Sequence, residues 1–173
     1  MRVARPSEEQ LAKIRRKPLY IVLDNVLDTY NIGSIFRLAD AVAAKELILC
    51  GGSETPPSSR IHKAAVGTEE WVKWRYFASA SEALADLRSQ ILDLRVIAIE
   101  QNPKAISLYD LTSKIQDLKS PLAIVVGHET EGISKEALDL ADLIVEIPMY
   151  GVNKSLNVVV STGIVLYRLV ELV

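Results

Sequence analysis

Three short stretches carry most of the side chains that could do chemistry: Asn31-Ile-Gly-Ser-Ile-Phe-Arg37, Gly127-His-Glu-Thr-Glu-Gly132 and Ile147-Pro-Met-Tyr-Gly-Val-Asn-Lys-Ser-Leu-Asn157. Together they hold a guanidinium, carboxylates, amides, hydroxyls and several glycines. Gly127 directly follows the apolar run Leu122–Val126. With no Cβ, such a glycine lets a ligand approach the main chain, and a tight strand-to-helix turn accounts for it equally well. Gly151 lies in the loop that leaves the Ile147 run. Ser155 stands where the last helix should begin, so its hydroxyl can cap a backbone N–H, and capping alone would explain it. Asn157 is expected in the first helical turn, where Asn is a weak helix former; its amide offers both a donor and an acceptor beside the loop.

Other chemistries lack their residues. A dinucleotide fold needs Gly-x-Gly-x-x-Gly straight after the first strand, and Asp24-Asn-Val-Leu-Asp28 has no glycine there. Gly127 to Gly132 has the glycine separation of a phosphate loop, but Ile133-Ser134 follows where Lys-Ser/Thr is required. There is no Cys-x-x-Cys pair, and neither His62 nor His128 has carboxylate or thiol companions at a recognised ligand spacing. No metal is expected, and each histidine is read as structural or superficial. Cys50 is the only cysteine, so no internal disulfide can form, and a buried thiol in a reducing cytoplasm is the natural reading.

The elements that must position these residues follow from the hydrophobic pattern. Leu19–Asp24, Glu46–Cys50, Trp71–Phe77, Leu94–Glu100, Leu122–Val126 and Leu143–Ile147 read as strands. Helical patterns cover Asn31–Ala44, Ser79–Ser89, Ser134–Leu140 and Leu156–Leu172. Strands apolar on both faces and alternating with helices predict an α/β fold with a mostly parallel sheet covered on both sides. Such sheets deliver their loops to one ligand-binding edge. Ahead of the first strand, Ser7 and Gln10 have capping-box spacing, so a short helix is expected from Ser7 to Arg16, closed off before Pro18. Residues 1–18 thus form a basic helical extension and 19–173 one domain.

Composition is ordinary for a globular protein, with 49% hydrophobic and 24% charged residues, which excludes disorder and fibrous repeats. The stretch Leu156–Val173 is interrupted by Asn157, Ser161, Thr162, Arg168 and Glu171, too polar for a membrane span. Met1 to Ser7 lacks the apolar core of a secretory signal, which points to the cytoplasm. Gly51–Ser59 is expected to be the most flexible interior segment.

In order and separation, the three stretches resemble the motifs of the SpoU (TrmH-type) branch of the SPOUT RNA methyltransferases. The first motif of that family, Asn-x-Gly-x-x-x-Arg, matches Asn31, Gly33 and Arg37; the second matches Gly127 and Glu129; the third matches Ile147, Pro148, Met149, Gly151, Ser155, Leu156, Asn157 and Val158. One departure is Val159, where many relatives carry a serine; here a serine comes only at Ser161. The resemblance implies a C-terminal trefoil knot and S-adenosylmethionine held by Gly127, Ile147, Met149, Gly151 and Leu156. It also implies methyl transfer to a ribose 2′-hydroxyl of structured RNA, with Arg37, Asn31, Glu129, Ser155 and Asn157 as catalytic residues. A guanidinium is always protonated, so a bidentate hold of Arg37 on an RNA phosphate is chemically easier than a role as base. Gly33, four residues earlier, is expected to clear the way for that arginine on one helix face. A homodimer in which Arg37 completes the site of the partner is implied as well.

The net charge of −2 gives no global attraction for RNA, so any RNA surface must be local. Arg2, Arg5, Lys13, Arg15, Arg16 and Lys17 form one basic group, and Arg60, Lys63, Lys73 and Arg75 a looser second. A solvated helix face explains the first as well as RNA contact does. Transfer RNA is slightly favoured over ribosomal RNA as substrate, because relatives that act on large ribosomal RNA often carry an extra N-terminal domain. The alternative reading is a knotted RNA-binding or ribosome-assembly factor without turnover.

Overall fold

The computed structural model describes residues 5–111 and 120–170. Seven strands form one sheet: β1 (Lys17–Asp24), β2 (Ala44–Cys50), β3 (Trp74–Phe77), β4 (Arg95–Ile99), β5 (Ile106–Ser107), β6 (Leu122–Gly127) and β7 (Leu143–Glu146). Their spatial order is β3-β2-β1-β6-β4-β7-β5, and every pairing is parallel. Among the described residues the α-helices are α1 (Glu8–Ala12), α2 (Thr29–Ala41), α3 (Ser59–Ala65), α4 (Ala80–Gln90), α5 (Lys135–Leu138) and α6 (Val158–Val170).

Strand alternation explains the doubly apolar runs. Ile21, Leu23, Leu47, Leu49, Ile124 and Val126 face one core with Ile32, Ile35 and Phe36 of α2, Ile61 of α3 and Val165 and Leu166 of α6. Val22, Ile48, Ala98 and Val125 face the other, with Ala83, Leu84 and Leu87 of α4 and Ala137 of α5. A strand buried on both sides cannot alternate with polar residues, which is the pattern expected of a covered parallel sheet. Cys50 is buried in the second core, and burial, with the charges of Asp24 and Glu82, pushes its thiol up to about 12. No helix among the described residues is long and apolar enough to cross a membrane.

The expected elements are present with shifted ends. The Ser7–Gln10 capping box forms through bonds of 3.2 and 2.9 Å, but α1 stops at Ala12 instead of Arg16. Lys17 belongs to β1, and its ammonium donates to the carbonyl of Val170 at the end of α6, so it anchors the fold. Helix α3 and strand β5 were not anticipated. Seven residues with only Ile61 and Ala65 buried leave too short a periodic signal for α3, and β5 has two residues. The Gly51–Ser59 loop is tethered at its start: Gly52 N–H donates to Asn25 Oδ1 and the Tyr76 hydroxyl donates to the Gly51 carbonyl, both at 2.9 Å.

Two residues of the second basic group are engaged within the fold. Arg75 forks onto the buried carboxylate of Glu46 at 3.0 and 2.8 Å, reaches Asp86 at 2.7 Å and lies over the Phe77 ring. Lys73 also pairs with Glu46, at 3.2 Å. A carboxylate withdrawn from water must be paired, so these cations answer Glu46 and not an external polyanion. Arg60 and Lys63 on α3 are exposed and make no hydrogen bond or ion pair among the described residues. Arg15 is exposed, whereas Arg16 faces Asp40 at 3.8 Å. His62, read as lacking ligand companions, is brought by the chain reversal after α3 to within 2.5 Å of Glu69.

Candidate active site

β1 and β6 end level, Asp24 opposite Gly127, and β4 and β7 finish in register beside them. The segments that follow β1, β6 and β7 therefore leave from one edge of the sheet. The loop after β6 closes on itself through reciprocal 3.0 Å bonds between His128 and Gly132. His128 Nδ1 accepts from the N–H groups of Thr130 and Glu131, a turn-capping role of the structural kind expected for it. Two carboxylates hold the loop from either side: Asp24 accepts from Ser134 N–H at 2.8 Å, and Glu100 accepts from Ile133 N–H at 2.9 Å.

Gly127 is required here for a different reason from ligand approach. A Cβ would lie 2.2 Å from the carbonyl carbon of Gly132 and 2.4 Å from the nitrogen of Ile133, so the close approach is made by the loop itself. Gly151 has nothing within 4 Å of its would-be Cβ. Neither glycine lines the cleft described below.

At the head of this loop, Glu129 accepts from the N–H groups of Leu27 and Asp28 at 3.3 and 3.2 Å, and from Asn31 Nδ2 at 2.9 Å. It thereby sits against the N-terminus of α2, where the helix dipole favours an anion. Burial raises its pKa, but the Asn31 amide and the main-chain donors outweigh this, leaving the carboxyl below the ordinary glutamate range. Asn31 lies one turn inside α2, which Asp28 caps by accepting from Tyr30 N–H. The Oδ1 of Asn31 accepts from Asn157 Nδ2 at 3.1 Å, and Asn157 Oδ1 accepts from Val159 N–H at 2.9 Å.

Asn157, not Ser155, is therefore the residue that caps α6. The direction of this relay is fixed. An ionised Glu129 only accepts, so Asn31 must present its NH₂ to it and its oxygen to Asn157, which then turns its own oxygen onto the helix.

Beside the relay, an open cleft of about 430 Å³, counting the space at its mouth, is lined by apolar Ile99, Val145, Ile147, Met149 and Leu156. Its polar walls are Glu100, Gln101, Glu146, Ser155 and Ser161. Gln101 donates to the Lys154 carbonyl, tying the 147–157 segment to the end of β4. The Ser161 hydroxyl donates to the Val158 carbonyl one turn back in α6. The structure thus brings together Ile147, Met149, Ser155 and Leu156 in the cleft, and Asn31, Glu129 and Asn157 in the relay. Glu100 and Glu146 were not anticipated as site residues. Their only sequence signal is a carboxylate at the C-terminal end of a buried strand.

Arg37 stands apart. It is exposed on α2, six residues or about 9 Å of helix beyond Asn31, with no hydrogen bond or ion pair among the described residues. Gly33 does not clear a path for it. A Cβ at Gly33 would lie 2.6 Å from the Ile61 carbonyl and from Ala64 Cβ, so this glycine seats α2 against α3.

Known proteins resemble this chain in sequence and in fold. The profile of the SpoU rRNA Methylase family matches residues 18–167. The tRNA (guanosine(18)-2'-O)-methyltransferase of Escherichia coli K12 is 32% identical over 163 residues, which are 92% of this chain and 66% of that protein. The chain thus spans just under two thirds of that relative. The crystal structure of the A. aeolicus TrmH/SpoU tRNA modifying enzyme superposes with a TM-score of 0.79 at 28% identity, covering 93% of this chain and 78% of the other. An AdoMet-bound rRNA methyltransferase from Sinorhizobium meliloti superposes with a TM-score of 0.74 at 25% identity, covering 90% and 56%. With the motifs, the parallel sheet and a profile that spans most of its length, the chain belongs to the SpoU methylase family.

Proposed function

We propose that the chain transfers a methyl group from S-adenosylmethionine to a ribose 2′-hydroxyl of structured RNA. The observation that carries this reading is the charge of the cleft. Two glutamates line it and no lysine or arginine does, which suits a cationic sulfonium donor and disfavours phosphate-bearing cofactors. Ile147, Met149 and Leu156 would flank the adenine, main-chain groups of the 147–157 segment would read its edge, and Glu146 would accept from ribose hydroxyls. When bound, the donor supplies an activated methyl group. The chain does the rest: the relay holds the three loops in one arrangement, and Arg37 fixes an RNA phosphate so that the ribose oxygen is aligned.

Arg37 lies away from the relay of its own chain, so the site is shared between two subunits in this reading. The exposed apolar stripe Val160, Ile164 and Tyr167 on α6, spaced at helical intervals, is the surface on which a second copy packs. Trefoil threading of the C-terminal part belongs to the same proposal and is supported by the insertion of β6 between β1 and β4. So do a cytoplasmic location, a division into an N-terminal extension and a domain that begins with β1, at Lys17 instead of the expected Leu19, and Arg15, Arg60 and Lys63 as outlying RNA contacts. The relatives named for tRNA favour tRNA as substrate.

The test incubates the purified chain with methyl-labelled S-adenosylmethionine and either tRNA or rRNA transcripts, then digests the RNA to nucleosides. Label in 2′-O-methyl nucleosides supports the proposal. Label in a base overturns the ribose assignment, and RNA binding without label identifies a non-catalytic assembly factor.

A further inference from the structure

Helix α3 ends in Val66, whose φ of 57° is left-handed, followed by Gly67 at 93°. This reversal turns the 3-10 segment Thr68–Glu70 back along α3, so that Glu69 and Glu70 meet His62. One potential ligand atom from each of the three residues lies within 4.8 Å of the others. The Glu69 side chain is only 8% exposed, and its Oε2 is buried without a hydrogen-bond partner. A carboxylate oxygen taken out of water needs a donor or a cation, and the described residues supply neither. Its other oxygen lies 2.5 Å from His62 Nδ1, within hydrogen-bond reach, with the imidazole tautomer deciding which atom carries the proton.

We propose that His62, Glu69 and Glu70 form a binding site for a divalent first-row transition-metal ion of the zinc type. One imidazole nitrogen and two carboxylate oxygens suit such an ion, whereas magnesium and calcium prefer all-oxygen shells of six or more. Three ligands leave a position for water. The ion replaces the proton between His62 and Glu69, and it takes up the orphaned Oε2. Glu70 also faces Arg5 at 3.3 Å, but that pair is well exposed, and exposed ion pairs hold weakly against a metal. The site lies outside the sheet edge that carries the methyl-transfer cleft. It clamps α3 to the segment after it, and α3 is the support on which α2 rests through Gly33. Its role is to stiffen the platform under the helix bearing Asn31 and Arg37.

The two tryptophans report on it, since Trp74 lines the cavity shared by His62, Glu69 and Glu70, and Trp71 lines the adjoining one with His62 and Glu70. The metal-stripped full chain is titrated with zinc chloride by calorimetry and with cobalt chloride by tryptophan quenching, beside His62→Ala, Glu69→Gln and Glu70→Gln. One zinc per chain is expected, with a rise in Tm of roughly 5 °C or more at a hundredfold excess over Kd. His62→Ala and Glu70→Gln, both at exposed positions, should keep the fold and weaken binding at least about tenfold. Should Glu69→Gln fail to fold, those two variants decide the matter. Absence of saturable binding, or zinc affinity unchanged in His62→Ala, would overturn the proposal whatever the fate of the methyl-transfer assay.

Discussion

A single carboxylate sets the polarity of the whole relay, because Glu129 can only accept and every amide downstream must orient accordingly. Asn31→Asp keeps the shape and the acceptor for Asn157 but sets two carboxylates against each other. At pH 7 a loss of about 1–3 kcal/mol is expected. In the wild type the Glu129 pKa is depressed, so its contribution is complete above the unfolded value and is lost as pH falls through the folded one. In the variant the paired carboxylates hold a proton more tightly. The stability gap between the two proteins should therefore narrow below about pH 5; denaturant melts at stepped pH would show it, and a constant gap would remove Glu129 from the relay. Among the described residues Arg37 has no hydrogen-bond or ion-pair partner to lose. Arg37→Ala should leave Tm and S-adenosylmethionine affinity nearly unchanged while lowering turnover about a hundredfold or more. Loss of cofactor binding would instead mark Arg37 as part of the cleft.

At the scale of elements, the close seating of α2 on α3 decides where both relay and arginine point. Gly33→Ala gains about 1 kcal/mol of helix propensity. The new methyl, however, meets a main-chain carbonyl at 2.6 Å, which no side-chain rotation relieves. Overpacking of this kind costs about 1–3 kcal/mol. A net loss of stability and a larger loss of turnover are expected, because the shift carries Arg37 with it; a more stable variant would show that the helices can part freely. This contact also marks what was legible in the sequence. Strands β1, β2, β6 and β7 are apolar on both faces and readable to within two residues, and Asn31, Glu129 and Asn157 are recognisable by motif. Helix α3 is not, since its seven residues follow a Pro-rich loop and bury only two side chains. Without α3, the reason for Gly33 could not be found, nor could the companions of His62. The cap of α6 is not legible, because either Ser155 or Asn157 can cap a helix, and only the bond that Asn157 donates to Asn31, which turns its oxygen onto Val159 N–H, selects between them.

For the molecule as a whole, the proposed role of Arg37 raises the question of how it could act on a site whose relay lies about 9 Å of helix away. The proposed second chain, packed on Val160, Ile164 and Tyr167, would answer it: these residues leave apolar surface in water along the helix that packs beside α2, where Gly163 meets Leu38. Ile164→Glu should therefore give a folded monomer by sedimentation, with little turnover. Complementation is the sharper test. Arg37→Ala retains an intact relay, and Glu129→Ala retains an intact Arg37, so each alone forms two defective sites per dimer. Co-expressed in equal amounts, half of the dimers should be mixed, and each of these should hold one site built from the sound parts of both chains. About a quarter of wild-type activity should then return. If each chain instead completed its own site, no mixing ratio would restore any turnover, and Arg37 would have to reach its own relay by a movement of α2.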